Sequence, residues 1–199
     1  VLTTLHLKKI KVRTTPIMHR LTRLTPTSAW IPRSRSGWTK RVFLLKEYMD
    51  SILLSLHPQL KKTKHVIKIN CPDDLAINSY PGVFSQIITN FIVNSLIHGF
   101  ENKEKGQITL DINLKNHILI IKYTDDGCGI PQASLPKIFD PFFTTKRGQG
   151  GSGLGLHIVY NLVTSRLGGT IECQSIPGQG TSFTLEIPQQ TEKKHGHHV

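Results

Sequence analysis

The amino-acid sequence predicts an α+β fold, a two-layer sandwich in which helices cover one face of a mixed sheet. Three observations carry this. Apolar residues recur at three- and four-residue steps in three segments, alternating β-like runs fill five others, and together they follow the order αβαββ-loop-αββ.

Leu45, Met49, Ile52, Leu53, Leu56 and Leu60 define the first helix, over 42–62. Residues 65–70 alternate and contain Val66, Ile67 and Ile69, which suits a strand. Ser79, Tyr80 and Pro81 form a helix-start signal, with proline at the first turn. That helix is expected to reach about His98 and to stop at Gly99. Two further β-like runs, 107–113 and 117–124, are separated by a polar turn around Lys115 and Asn116. Residues 125–152 are rich in Gly, Pro and Thr without a period, so a loop with one short helix near 132–137 is predicted; a loop of that length in a compact domain is functional or disordered. Residues 153–167 read as a helix closed by Gly168 and Gly169. Residues 170–175 and 181–187 form a hairpin across Pro177, Gly178, Gln179 and Gly180. The sequence has no internal repeats.

A chain of 199 residues accommodates one domain with an appendage, and 42–188 alone is long enough to bury roughly two thirds of its unfolded surface. The formal charge of +12 suggests a nucleic-acid partner until it is located. Residues 1–41 hold ten Lys and Arg and no acid, whereas the rest is near neutral at +2. The expected organisation is therefore a basic arm (1–41), a domain (42–188) and a polar, His-rich tail (189–199). Pro16, Pro26 and Pro32 deny the arm a long helix. Its composition favours a disordered or foreign extension; an organelle transit peptide and a basic tail for nucleic acid or anionic lipid are the other readings. The first residue is Val1, so a fragment or a misframed start is expected. No run approaches the ~20 apolar residues of a membrane span, and no secretory h-region is present. Cys71, Cys128 and Cys173 lie far apart and read as reduced thiols in a cytoplasmic protein. The ten histidines are scattered, and His195, His197 and His198 read as a solvated tail.

Four short blocks carry the chemistry. Asn90 and Asn94 are four apart on one helix and share a face. Two readings fit them: a polar edge that caps a neighbouring loop, or oxygen ligands for Mg²⁺, a hard cation that combines few protein oxygens with substrate phosphates. His98 lies one turn further on. It reads either as a structural histidine or as a contact to phosphate or ribose. Asp126, Gly127, Cys128, Gly129 and Ile130 follow directly on a strand. The glycines permit unusual backbone angles and let a planar ring come close, and a carboxylate there can accept the adenine amino proton. Phe139, Asp140, Pro141, Phe142 and Phe143 put three aromatics in a polar loop, an anchor that needs a hydrophobic seat. Thr144, Thr145, Lys146 and Arg147 then supply hydroxyls and cations. Gly151, Ser152, Gly153, Leu154, Gly155 and Leu156 lead into a helix whose backbone N–H groups suit an anion. A Walker P-loop, GxxxxGK[ST], is absent.

In this order the four blocks resemble the N, G1, F and G2 boxes of the ATP-binding domain of two-component sensor histidine kinases, over about 42–188. The resemblance implies a Bergerat-type ATP-binding fold and a domain that binds Mg²⁺ and ATP. Its γ-phosphate would pass to a histidine on a separate dimerisation segment, with a response regulator downstream and no nucleic acid at the core. It implies Asn94 as metal ligand, Asp126 as adenine reader with Asp125 on the solvent side, Asn90 and Lys146 in catalysis, residues 140–152 as a lid, and Thr181 in support of adenine. ATPases of the same fold resemble it less, because they carry a glutamate at the position of Asn90, and an amide cannot act as a general base. An ATP-binding module without transfer stays open, as does nucleic-acid binding by the arm. The family's phosphoacceptor box is not visible: His6 and His19 lie in the arm, and Arg20 stands where the acid after His19 belongs.

Overall fold

The computed structural model describes residues 38–146 and 151–189. Residues 1–37, with His6 and His19, lie outside the described residues, as do Arg147, Gly148, Gln149, Gly150 and the tail from residue 190. Expectations for the arm, the tail and Arg147 fall there.

Strand β1 (Arg41–Leu44) pairs antiparallel with β3 (Ala76–Ser79) in a two-stranded ribbon. The helix expected over 42–62 therefore divides, and α1 (Leu45–Leu60) begins only after the ribbon. Its buried residues, Leu45, Met49, Ile52 and Leu56, keep the three- and four-residue spacing of a single apolar stripe. The main sheet has the order β2-β4-β5-β7-β6, formed by β2 (Val66–Asn70), β4 (Gln107–Lys115), β5 (Ile118–Asp125), β6 (Thr170–Ile176) and β7 (Gly180–Pro188). The pair β2–β4 is parallel and the other three are antiparallel, so the sheet is mixed as expected. Asn116 and His117 join β4 to β5 with φ of 50° and 61°. Positive φ at both central residues is what a tight two-residue hairpin demands, because it matches the strand twist.

Proline at the first turn starts α2 (Pro81–Asn94), which buries Val83, Phe84, Ile87, Ile88, Phe91 and Ile92. It runs on through a π-helical turn, Ser95–Gly99, marked by the Phe100 N–H donating to the Ser95 carbonyl at 2.8 Å. Helix α3 (Gly155–Asn161) continues likewise into a π-helical turn, Leu162–Arg166. The helices cover the face bearing Ile108, Leu110, Ile112, Leu119, Ile121, Tyr123 and Leu185, all buried. At the centre of the layer, Phe91 of α2 stacks on Phe183 at 4.6 Å and meets Tyr123 at 5.0 Å. The intervening strand positions, such as Lys122 and Glu186, are exposed on the uncovered face, the alternation proper to a sheet with one wet side.

Candidate functional site

The period of β5 decides which of two adjacent aspartates enters the interior. Leu119, Ile121 and Tyr123 alternate toward the helices, and Asp125 is the next member of that series, 5% exposed. Its Oδ2 accepts the Ser95 hydroxyl at 2.6 Å, and its Oδ1 accepts the N–H groups of Gly127 at 3.0 Å and Thr181 at 3.2 Å. Asp126 has the opposite parity. Its exposed carboxylate pairs with Lys103 at 2.8 Å and accepts the Gln107 N–H at 2.7 Å. Burial acts to raise the Asp126 pKa, but the Lys103 ammonium and the Gln107 N–H outweigh it and hold the carboxyl below its ordinary value. The expected placement, Asp126 inward and Asp125 toward solvent, is thus reversed.

Asp125 sits in a cleft of about 480 Å³ between α2 with its π-helical turn, the ends of β5 and β7, and the segment leading into α3. Of the residues singled out from sequence, Asn90, Asn94, His98, Gly129, Ile130, Phe143, Thr144, Thr145, Lys146, Gly151, Ser152, Gly153, Gly155, Leu156 and Thr181 line it. Asp126, Gly127 and Leu154 do not. Gly127 is needed for packing instead, since a Cβ there would lie 2.6 Å from the Gly99 carbonyl oxygen. Gly129 has φ of +71°, and a Cβ would stand 2.3 Å from the Ile176 carbonyl oxygen. Only glycine fits that turn.

Along one wall, Asn90 and Asn94 approach the first turn of α3 so closely that a Cβ on Gly155 would lie 3.4 Å and 3.5 Å from their side-chain oxygens. The Asn90 amide nitrogen is buried with no hydrogen-bond partner among the described residues. A polar atom left so costs about 1–3 kcal/mol, which a ligand with an acceptor in the cleft would recover. At the mouth, Lys146 forms an ion pair with Glu101, and its side chain is only 15% exposed. His98 lies in the same wall; burial, and then the Lys146 charge, push its pKa down against the opposing pull of Glu101. The Thr144 hydroxyl accepts the Lys146 N–H at 3.1 Å. Phe139 anchors the loop, packing on Tyr160 at 5.4 Å and Phe183 at 6.5 Å. Phe143 is half-buried, but Phe142 is 59% exposed with φ of 64° and so anchors nothing.

Residues 81–191 match the family of histidine kinase-, DNA gyrase B- and HSP90-like ATPases. The chain belongs to this family. Two sensor kinases illustrate the kinship with this ATPase family's histidine-kinase branch. WalK of Bacillus subtilis is 34% identical over 144 residues, 68% of this chain and 23% of WalK. The sensor kinase CckA of Brucella abortus is 36% identical over 189 residues, 84% of this chain and 20% of CckA. The chain thus spans about a fifth of the length of such relatives. Among solved structures, the catalytic domain of histidine kinase ThkA superposes with a TM-score of 0.66 at 26% identity, covering 76% of this chain and 96% of that one. ThkA has also been solved with a response regulator, TrrA; that likeness, at 24% identity and a TM-score of 0.63 over 78% of this chain and 43% of that one, is one of fold.

Several residues of this histidine-kinase-like site were not foreseen. The parity of β5 was sufficient to find Asp125. The exposed Cys128, inside the Asp126–Ile130 block but given no role there, and Glu101, which belongs to no block, also line the cleft. Ser95 lies in the π-helical turn, whose extra residue per turn shifts which side chains face the sheet.

Proposed function

We propose that this domain binds Mg·ATP with adenine against Asp125 and the phosphates toward Asn90, Asn94 and the loop 140–152. The γ-phosphate then passes to a histidine on a dimerisation segment, in trans or in a longer chain. One observation carries the reading: a buried carboxylate on the cleft wall, held by three donors and with acceptor capacity to spare. The 6-amino group of adenine is a donor that completes it. Guanine presents a carbonyl at that position and would set acceptor against acceptor.

The residues fit a Mg²⁺ held partly by its substrate. Among the described residues no group of three or more His, Cys, Asp and Glu is placed to hold a metal, whereas Asn94 offers a hard amide oxygen on the same wall. When bound, the ion neutralises phosphate charge. Asn90 has no basic lone pair with which to take a proton from water, so the site favours delivery to an acceptor over hydrolysis, and its role is to position. His98, Thr144, Thr145, Ser152 and the backbone of Gly151, Gly153 and Gly155 offer polar groups along the phosphate path. Lys146, on leaving Glu101, supplies a cation to the transferring phosphoryl group. Arg147 is its neighbour in the sequence. Catalysis of this kind rests on positioning and charge stabilisation. Kinship with sensor kinases supports a response regulator as the downstream partner and the cytoplasm, where ATP is abundant, as the compartment; among the described residues no helix is long and apolar enough to cross a membrane.

The test supplies labelled ATP and the dimerisation domain of a related sensor kinase. The expected result is acid-labile phosphate on the acceptor histidine. Steady release of phosphate with none on any acceptor would instead indicate an ATPase.

A further inference from the structure

Behind Asp125 lies a chain of two buried hydroxyls, Ser95 in the wall of the cleft and Tyr123 deeper in the core. The Ser95 hydroxyl has one hydrogen, and it goes to Asp125 Oδ2 at 2.6 Å. The Tyr123 hydroxyl lies 2.7 Å from Ser95 Oγ and 3.2 Å from the Phe91 carbonyl. With the serine hydrogen committed to Asp125, Ser95 Oγ can only accept from Tyr123, whose shorter contact is this one, and the order of donation runs from Tyr123 to Ser95 to Asp125. Tyr123 is completely buried and Ser95 is 3% exposed. Burial pushes the phenol pKa well above its ordinary value, so Tyr123 stays a neutral donor.

Ser95 is the only side chain among the described residues that donates to this carboxylate; the other two donors are backbone groups, and both bind Oδ1. Without Ser95 nothing holds Oδ2, and the plane of the carboxylate can turn about its axis. We propose that Ser95, fixed in turn by Tyr123, is the positioning residue that aims Asp125 into the cleft and thereby sets the preference for a 6-amino over a 6-oxo purine nucleotide. This rests on the reading of the cleft as an ATP site. It adds that selectivity is set from the core, through residues that the π-helical turn after α2 and strand β5 bring together 28 positions apart.

The test measures the ratio of ATP to GTP affinity, by calorimetry with Mg²⁺ present, for the described domain in its full chain. Wild type, Ser95→Ala, Tyr123→Phe, the double variant and Ser95→Thr are compared. Ser95→Ala should reduce the ratio by about tenfold, the scale of one lost hydrogen bond to a charged group. Tyr123→Phe should reduce it by roughly threefold, a weaker effect because it acts at one remove. The double variant should match Ser95→Ala, because Tyr123 acts only through Ser95. Ser95→Thr keeps the hydroxyl and should restore most of the preference. The ratio is internal to each protein, so a general loss of stability does not mimic the effect. An unchanged ratio in Ser95→Ala, or a double variant whose losses add, overturns the relay while leaving the ATP site standing. A wild type that shows no preference for ATP overturns both.

Discussion

Exchanging each of the two adjacent aspartates for asparagine separates them by burial alone. In Asp125→Asn the remaining oxygen can stay with the Gly127 and Thr181 N–H groups, at 3.0 and 3.2 Å in the native protein. The new amide then faces Ser95 and the cleft. Ser95 can reverse and accept one N–H, but the other points where the adenine amino group would arrive, donor against donor. Losing one hydrogen bond to a charged group and leaving a donor unpaired costs about 1.5–3 kcal/mol, or about 10- to 150-fold in the dissociation constant of Mg·ATP. GTP, whose carbonyl now meets a donor, should lose nothing. Asp126→Asn breaks only a pair whose side chains are 37% and 50% exposed. Such pairs contribute at most about 1 kcal/mol to stability, and ATP affinity should stay within about twofold. Calorimetry with both nucleotides, alongside circular dichroism to establish folding, gives the answer. If Asp126→Asn abolished ATP binding while Asp125→Asn retained it, the parity argument would be wrong.

Three further predictions concern metal, lid and pH. Asn94→Leu should abolish Mg²⁺-dependent nucleotide binding in a folded protein; Mg²⁺-dependent ATP binding that persists would reduce the asparagine face to a structural edge. Trypsin cleavage after Lys146 or Arg147 should slow under saturating Mg·ATP as the lid engages phosphate, and identical digestion with and without nucleotide counts against a phosphate-binding lid. His65 and His98 are both held below the ordinary histidine value, chiefly by burial, and His65 Nδ1 accepts the Gly106 N–H at 2.8 Å, which only the neutral ring can do. The unfolded chain therefore takes up these protons first as pH falls. Their contribution is complete above about pH 6.5 and is lost as pH drops through the lower folded values. Urea midpoints should fall between pH 7.5 and 5.5, and a rise over that interval would contradict the assignment.

Much of this architecture was legible in the chain because it rests on local period. The apolar stripes of α1 and α2 and the two hairpins obey spacing rules that act over a few residues. Residues 42–44 read as helix because they abut the apolar stripe that begins at Leu45; the strand state of Arg41–Leu44 comes from pairing with Ala76–Ser79, far along the chain. The cleft was legible where glycines and amides form blocks, as at Asn90, Asn94 and Gly129. Asp125 is legible from the parity of the strand but not from the glycine block, whose adjoining carboxylate is Asp126. Glu101 was not readable at all. Its contact with Lys146 depends on the loop after α2 meeting the lid, and nothing within either stretch announces the other.

The register of β5 and β7 sets Asp125 opposite Thr181, so the ends of an excursion of 56 residues are clamped side by side within the sheet. Everything between them, the aromatic anchor, the lid, α3 and β6, is a single closed loop as far as these two strands are concerned. Closing such a loop depends only logarithmically on its length, about 0.6 kcal/mol for each doubling. Insertions or deletions in the lid should therefore leave the sheet nearly indifferent. Hydrogen exchange should show the same division, with the amides shared by β5 and β7 among the slowest and those of the lid opening independently. The cleft thus joins a wall that resists change to a cover that can be lengthened, shortened or recast at small cost.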